Sequence, residues 1–253
     1  MYLIIGSPNL MNHSDTATSR NQYFVTGLLI ALFYYQAMDY IIFYRLQSNL
    51  ITWYCHDLLI CSEVVLLYFY AVRVEIKPFL LWPEQPRRIW FYPVAIIVLF
   101  LSTIVSTTLS RVPGWLKWQE IWDIHPGRHF MHIVVQSYQQ NVFICILSTA
   151  LWGISTELIF RGYLLPRLSI ITKSKAVGVI GSSLFYAFFP FVKRGLRSLI
   201  TDFFNSIIFA VFYLKFRNIK VVIIVRVIID LIVMLSLREF FLRFAPYILN
   251  NYK

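Results

Sequence analysis

Two pairs of opposite charges lie inside apolar stretches of this sequence, each at a spacing of four residues. Glu157 and Arg161 occur in STELIFRGYLLPRL, and Arg226 and Asp230 occur in VVIIVRVIIDLIV. Residues four apart face the same side of a helix and can pair. A carboxylate in this setting could act as a general base. An ion pair that sets helix register, or in the case of Arg161 a cation at a helix C-terminus, explains the spacing equally well.

Further ionisable residues occur in other apolar stretches. His56, Asp57 and Glu63 share one stretch, Asp39 precedes it, and Asp202 lies with Asn205 in a later one. An ionisable group at membrane depth is costly, so each is a functional hypothesis to be weighed against a structural pair. We expect Asp57 to pair with a basic group on a neighbouring helix. The small residues Ser206 and Ala210, four apart, predict close helix packing.

The histidines His125, His129 and His132 form a pattern that could bind zinc on a helix, with Glu120 and Asp123 upstream. However, Pro126 and Gly127 interrupt the helix between the first two histidines. The sequence therefore favours a solvated cluster close to the membrane, and we predict no metal and no cofactor.

The composition is that of a membrane protein. Of the 253 residues, 58% are hydrophobic and 14% charged, whereas a soluble domain carries roughly a quarter charged residues. Apolar runs near 20 residues can cross about 30 Å of hydrocarbon as helices. The net charge of +11 resides in short basic loops, which favours contact with lipid headgroups over nucleic-acid binding.

We predict an all-α, polytopic transmembrane helical bundle of about 7–8 spans within a single integral membrane domain, residues 1–253. Residues 111–140, rich in tryptophan, are predicted to form an interfacial elbow. The C-terminal stretch 238–253 is expected to lie in the interface or to form a partial eighth span. The predicted spans are 23–44, 51–72, 88–110, 141–160, 176–192, 198–214 and 219–237.

Several motifs between residues 140 and 235 resemble the CPBP family of CAAX prenyl endopeptidases and bacteriocin-processing membrane proteins, also called the Abi family. The stretch FRGYLLPRL from Phe160 to Leu168 resembles the continuation of the family's EExxxR motif. SSLFYAFFP resembles its FxxxH motif, with Phe189 in place of the histidine. IIFAVFYLKFRNIKVVIIV resembles its third region, and the last motif, Hxxx(N/D), falls on Arg226 and Asp230. The resemblance implies a fold of the CAAX prenyl endopeptidase type, with a core at 140–235.

In the family, a glutamate and two histidines are taken to activate water and to stabilise the tetrahedral intermediate. The resemblance places Thr156, Phe189 and Arg226 at these positions. Threonine is not a base at neutral pH, phenylalanine has no polar side-chain atom, and arginine stays protonated. Glu157 and Arg161 are then remnants of the motif. We expect Arg226 to pair with Asp230 or with Glu157.

These replacements favour a catalytically inactive pseudoprotease that acts by protein binding, as an immunity or regulatory scaffold or as a subunit of a membrane complex. Its expected partners are membrane lipids and a membrane protein or peptide, in the plasma (inner) membrane if the source is bacterial. One alternative is an active intramembrane CAAX-type endopeptidase that uses Glu157. Another is a transporter-like protein, although no inverted repeat or helix broken at the midplane is visible.

Overall fold

The described part of the chain is helical. This computed structural model describes residues 22–34, 37–38, 50–82, 88–109, 142–194 and 196–251, among which no strand occurs. The longer helical elements are α1 (Gln22–Tyr34), α2 (Leu50–Arg73), α3 (Phe91–Leu109), α4 (Val142–Glu157), a π-helical segment π1 (Leu158–Leu164), α5 (Leu165–Ile171), α6 (Lys175–Arg194), α7 (Leu196–Phe216) and α8 (Ile219–Asn251). The predicted all-α class is confirmed for these residues. The predicted elbow at 111–140, Asp39 and the three histidines lie outside them.

The helical path that contains Glu157 and Arg161 does not end where the sequence predicts. It runs through α4, π1 and α5 as one element from Val142 to Ile171. The Leu165 N–H donates to the Phe160 carbonyl five residues back, which is the π pattern. This wider turn precedes Pro166, which then falls in the first turn of α5, where a proline is tolerated. The expected span of 141–160 and the placement of Arg161 at a helix C-terminus are therefore wrong.

The C-terminal segment is likewise longer than predicted. A single helix, α8, runs 33 residues to Asn251 without the break expected near residue 237. Its start is fixed by Asn218, whose Oδ1 accepts a hydrogen bond from the Val221 N–H at 3.1 Å. At 1.5 Å per residue, α8 is about 50 Å long, which exceeds the thickness of the hydrocarbon core. The stretch 238–251 is thus the end of α8, not a separate element.

Two clusters of buried apolar side chains meet at the 142–171 element. The first joins α1 and α2 to π1 through side chains that include Leu67, Phe160 and Tyr163. The second joins α3, α7 and α8 and includes Leu165 of α5. Helix α7 packs extensively on α6, where Ser206 and Ala210 are buried. Both small residues are thus inside the bundle, and the close packing that their spacing predicts stays a prediction.

The helices expose large apolar faces. On α3 the exposed residues follow a helical spacing, and Val94, Ile97 and Leu101 are each more than half exposed. Two elements are long and apolar enough to cross a membrane, Val142–Ile171 and Leu199–Phe216, and shorter apolar helices occur in α1, α3 and α6. This finding concerns the described residues alone, and the count of 7–8 spans stays a prediction.

Candidate functional site: a cluster of paired charges

Glu157 and Arg161 form a sealed ion pair at the junction of α4 and π1. The Arg161 Nε lies 3.2 Å from the Glu157 Oε2, and both side chains are almost completely buried. The Arg161 Nη2 donates to the Ser206 Oγ at 2.8 Å and to the Ser206 carbonyl at 3.2 Å. Arg161 therefore connects π1 to α7 by hydrogen bonds and compensates the charge of Glu157. The pairing expected from the four-residue spacing is confirmed.

Arg226 and Asp230 form the second pair, on α8. The Arg226 Nε donates to the Asp230 Oδ2 at 2.8 Å, and the side chains are 15% and 20% exposed. The expected pairing of Arg226 with Asp230 is thus confirmed. Gly153 of α4 lies close to α8, because a Cβ on Gly153 would be 3.1 Å from the Val227 Cγ2 and 3.5 Å from the Asp230 Oδ2. The missing side chain lets α4 and α8 approach each other at the site.

The two pairs belong to one site, which we call the paired-charge cluster: Glu157, Arg161, Arg226 and Asp230. Both guanidinium groups lie over the rings of Tyr186 and Phe209. The Arg161 Cζ is 4.7 Å from the Tyr186 ring centre, and the Arg226 Cζ is 5.4 Å from it. Arg226 also interacts electrostatically with Glu157 and Asp202. Side chains from α4, π1, α6, α7 and α8 thus meet in a buried network of alternating charge.

Thr156, which precedes Glu157, is fully buried within this region. Its hydroxyl donates to backbone carbonyls of its own helix, those of Trp152 at 2.9 Å and Gly153 at 3.2 Å. A hydroxyl with its proton bound in this way is not oriented towards a substrate. The backbone of Phe189 lies in α6, but its side chain is outside the described part of the structure.

A second buried network, which the sequence analysis did not predict, lies around Glu75, directly after α2. Its carboxylate accepts from the Arg167 Nε at 2.8 and 3.0 Å and from the Tyr163 hydroxyl at 2.6 Å. The Arg167 Nη1 donates to the carbonyls of Phe79 and Tyr163. We call Glu75, Tyr163 and Arg167 the Glu75 network. A buried Arg167 predicts an acidic partner, but nothing in the sequence selects one 92 residues away.

The remaining candidates of the second predicted span lie apart from the cluster. Asp57 accepts a hydrogen bond from the Ser148 Oγ at 2.5 Å. Its partner among the described residues is thus a hydroxyl, and pairing with a basic group stays a prediction. Glu63 is fully buried. The side chain of His56 lies outside the described residues. Among the residues that the structure describes, no three His, Cys, Asp or Glu side chains are grouped to hold a metal ion.

The chemistry open to the paired-charge cluster follows from these contacts. Glu157 has the carboxylate that could accept a proton close to Thr156. It is buried beside the guanidinium of Arg161, which stays protonated. Arg226 can stabilise a negative charge but cannot act as a base. The described residues thus provide electrostatic stabilisation and helix positioning, whereas general-base catalysis would require Glu157 to separate from Arg161.

Residues 138–232 match a family model described as type II CAAX prenyl endopeptidase Rce1-like. The matched segment contains all of the paired-charge cluster and extends from just before α4 into α8. A comparison with curated proteins found no match, and a comparison with solved structures found none. Over residues 138–232 the chain is thus similar to the type II CAAX prenyl endopeptidases, which confirms the predicted resemblance to the CPBP family for this part of the sequence.

Proposed function

We propose that this chain is a catalytically inactive member of the CAAX prenyl endopeptidase relatives that acts in a membrane as a binding scaffold. One observation carries the proposal. At two of the three positions that the family resemblance assigns to catalysis, the side chains are Thr156 and Arg226, and each is bound within the protein. The third position holds Phe189, which brings no polar side-chain atom.

Peptide hydrolysis through activated water needs a base within hydrogen-bond reach of that water and a group that stabilises the developing oxyanion. The Thr156 hydroxyl donates to its own helix, and Arg226 is fixed by Asp230. The Glu157 carboxylate is fully buried against Arg161. The charges of the paired-charge cluster are thus directed towards each other, an arrangement that stabilises helices and leaves the peptide bond of a bound segment uncleaved.

The exposed apolar faces of α2, α3 and α6 support a location within a bilayer, where they would contact lipid. A partner fitting this environment is a membrane helix or a lipidated peptide. As an immunity factor, a regulator or a subunit of a membrane complex, the chain would bind such a segment through these helices. The location in a plasma membrane and the identity of the partner are parts of this proposal.

One observation favours a second function, that of an active endopeptidase using Glu157. Both Glu157 carboxylate oxygens lack a hydrogen bond to any of the described residues, although Arg161 lies close. A carboxylate without hydrogen bonds could orient a water molecule if the helices opened. The transporter-like alternative gains no specific support from the described residues, and we do not propose it.

A peptidase assay separates the two functions. The full chain and its Glu157→Gln variant are reconstituted in vesicles with prenylated peptides that end in a CAAX sequence and with a transmembrane peptide. An active peptidase of the same family in matched vesicles is the positive control. We expect the full chain to release no more product than empty vesicles do. Cleavage by the natural chain that is lost in a stably folded Glu157→Gln variant would establish the endopeptidase instead.

The binding function has its own measurement. The tagged chain is purified in mild detergent, and co-purifying proteins are identified by mass spectrometry and quantified against the chain. A stoichiometric membrane protein or peptide is the expected result. A chain that purifies alone from the membranes of its natural source would contradict the role of a complex subunit.

A further inference from the structure

Glu63 is a buried carboxylic acid outside the paired-charge cluster. It lies on α2, a helix that packs against α4 and π1, and its exposed fraction is 0%. Ile60, three residues before it, and Leu67, four residues after it, are also fully buried and belong to the first apolar cluster. The spacing places Glu63 between these two side chains on one side of the helix. Its surroundings on α2 are therefore apolar.

Neither oxygen of Glu63 has a hydrogen bond to any side chain or backbone group in the described ranges. The charged side chains on the elements that pack against α2 have other partners: Glu157 pairs with Arg161, and Glu75, after α2, binds Arg167. Tyr163 of π1 donates to Glu75, and Tyr34 of α1 shares a hydrogen bond with Ser62. Within the described residues, Glu63 makes neither a hydrogen bond nor an ion pair. It differs in this respect from Glu75 and Glu157, which each contact an arginine.

An isolated ionised carboxylate is very unfavourable in apolar surroundings, whereas the neutral acid costs much less. We propose that Glu63 is a proton-binding site, occupied by a proton in the packed bundle, so that the side chain lies between α2 and α4 as a neutral carboxylic acid. Its ligand is the proton itself. Release of this proton would place a bare negative charge in the interface, and α2 would have to move away from α4 and π1. Because π1 carries Arg161, protonation of Glu63 favours the arrangement that seals the paired-charge cluster.

The protonation state can be read directly by infrared spectroscopy of the full chain in lipid. The measurement is the difference spectrum between the natural chain and the Glu63→Gln variant at neutral pH. We expect the natural chain to contribute the carbonyl band of a protonated carboxylic acid. Carboxylate bands in its place would overturn the proposal. This readout does not depend on a reagent reaching the buried site.

Thermal unfolding supplies the second measurement, with Glu75→Gln as the matched control. Glutamine has the shape of a neutral glutamic acid, so Glu63→Gln is expected to keep the midpoint within about 2 °C of the natural value at pH 5. Glu75→Gln removes the charge that compensates buried Arg167, and a loss of roughly 6 °C or more is expected. An equal loss for Glu63→Gln would reveal an ion-pair partner for Glu63 and overturn the proposal.

The pH dependence of the same variant has a defined sign. A solvated glutamate releases its proton above pH about 4.3, whereas the folded chain holds the proton at Glu63. The unfolded state then binds fewer protons than the folded state, and the stability contributed by this site falls as the pH rises. The midpoint of Glu63→Gln should therefore rise relative to that of the natural chain between pH 5 and pH 8. A difference that stays constant over this range would contradict the proposal. Neither measurement depends on whether the chain cleaves peptides.

Discussion

At the scale of single residues, the paired-charge cluster depends on compensation between neighbours. Arg226 and Asp230 are largely buried, and their ion pair replaces the water that both groups would otherwise bind. Replacing a buried pair as a whole is often nearly neutral, whereas removing one partner leaves a charge without compensation. The pair therefore stabilises the fold only when both residues are present.

A double-mutant cycle at Arg226 and Asp230 measures this compensation. Arg226→Gln alone should lower the free energy of unfolding by about 3–5 kcal/mol, because Asp230 and Glu157 both lose a compensating charge. The variant with both Arg226→Gln and Asp230→Asn should lose less than Arg226→Gln does. Unfolding in mild detergent measures both. A loss in the double variant equal to the sum of the losses in Arg226→Gln and Asp230→Asn would show that the two residues do not act as a pair.

The sequence predicts an ion pair correctly where the two partners lie one helical turn apart. The spacing of four residues suffices for Glu157 with Arg161 and for Arg226 with Asp230, because helix geometry alone brings them together. The partner of Arg167 was not predictable. Glu75 reaches it only through the way the segment after α2 folds over π1, which is a property of tertiary packing.

At the scale of elements, the contacts of α1 with π1 depend on a glycine. Gly27 is buried in α1, and a Cβ at this position would overlap the Tyr163 hydroxyl and lie 2.8 Å from the Glu75 Oε1. The Tyr163 hydroxyl cannot easily move aside, because it donates to Glu75 at 2.6 Å. The absence of a side chain at Gly27 therefore allows the Glu75 network to form beneath α1.

We predict that Gly27→Ala destabilises the chain by about 1–3 kcal/mol, the usual cost of overpacking. Tyr163→Phe alone should also destabilise it, because Glu75 loses a hydrogen bond. In the combined variant, removal of the hydroxyl relieves the most severe clash with the new methyl group, and the contact with the Glu75 Oε1 at 2.8 Å remains. The combined loss should therefore be smaller than the sum of the two single losses, as measured by thermal unfolding. If the losses of stability in the two single variants add up in the combined variant, the Tyr163 hydroxyl does not exclude a side chain at position 27.

The elements themselves were predictable to different degrees. Apolar length and composition located α2, α6 and α7 to within a few residues. The π turn before Pro166 was not predictable, since Gly162 followed by Pro166 ordinarily signals a helix end. In the structure the helix continues through π1, which packs against α2, α6 and α8. The same holds for α8, whose polar C-terminal part continues the helix instead of starting a new element.

At the scale of the whole molecule, the question is which helices cross the bilayer. The element Val142–Ile171 and the part of α7 from Leu199 meet the length and hydropathy expected of a span, and the predicted spans also include α3. Helix α3 has 19 residues, about 28 Å. One of its faces packs through Ala95 and Leu99, which are almost fully buried, and the opposite face is apolar and exposed. This is the pattern of a helix between a protein core and lipid.

We predict that α3 spans the bilayer with this exposed face in the hydrocarbon. Single nitroxide labels at Val94, Ile97, Leu101 and Ile104, in a background with Cys55, Cys61 and Cys145 replaced, report depth in vesicles. Collisions with dissolved oxygen should peak at the two central positions, and collisions with a water-soluble nickel complex should be lowest there. A label at Leu99 should be shielded from both, because its side chain is buried.

The profile along α3 distinguishes the two arrangements that an apolar helix can adopt. A helix that crosses the membrane changes depth by about 1.5 Å for each residue, so its four exposed positions must differ in oxygen access. A helix that lies in the interface holds all four at one depth and gives equal access. Equal values, or a nickel complex that reaches the central positions, would remove α3 from the predicted spans and reduce their number below seven.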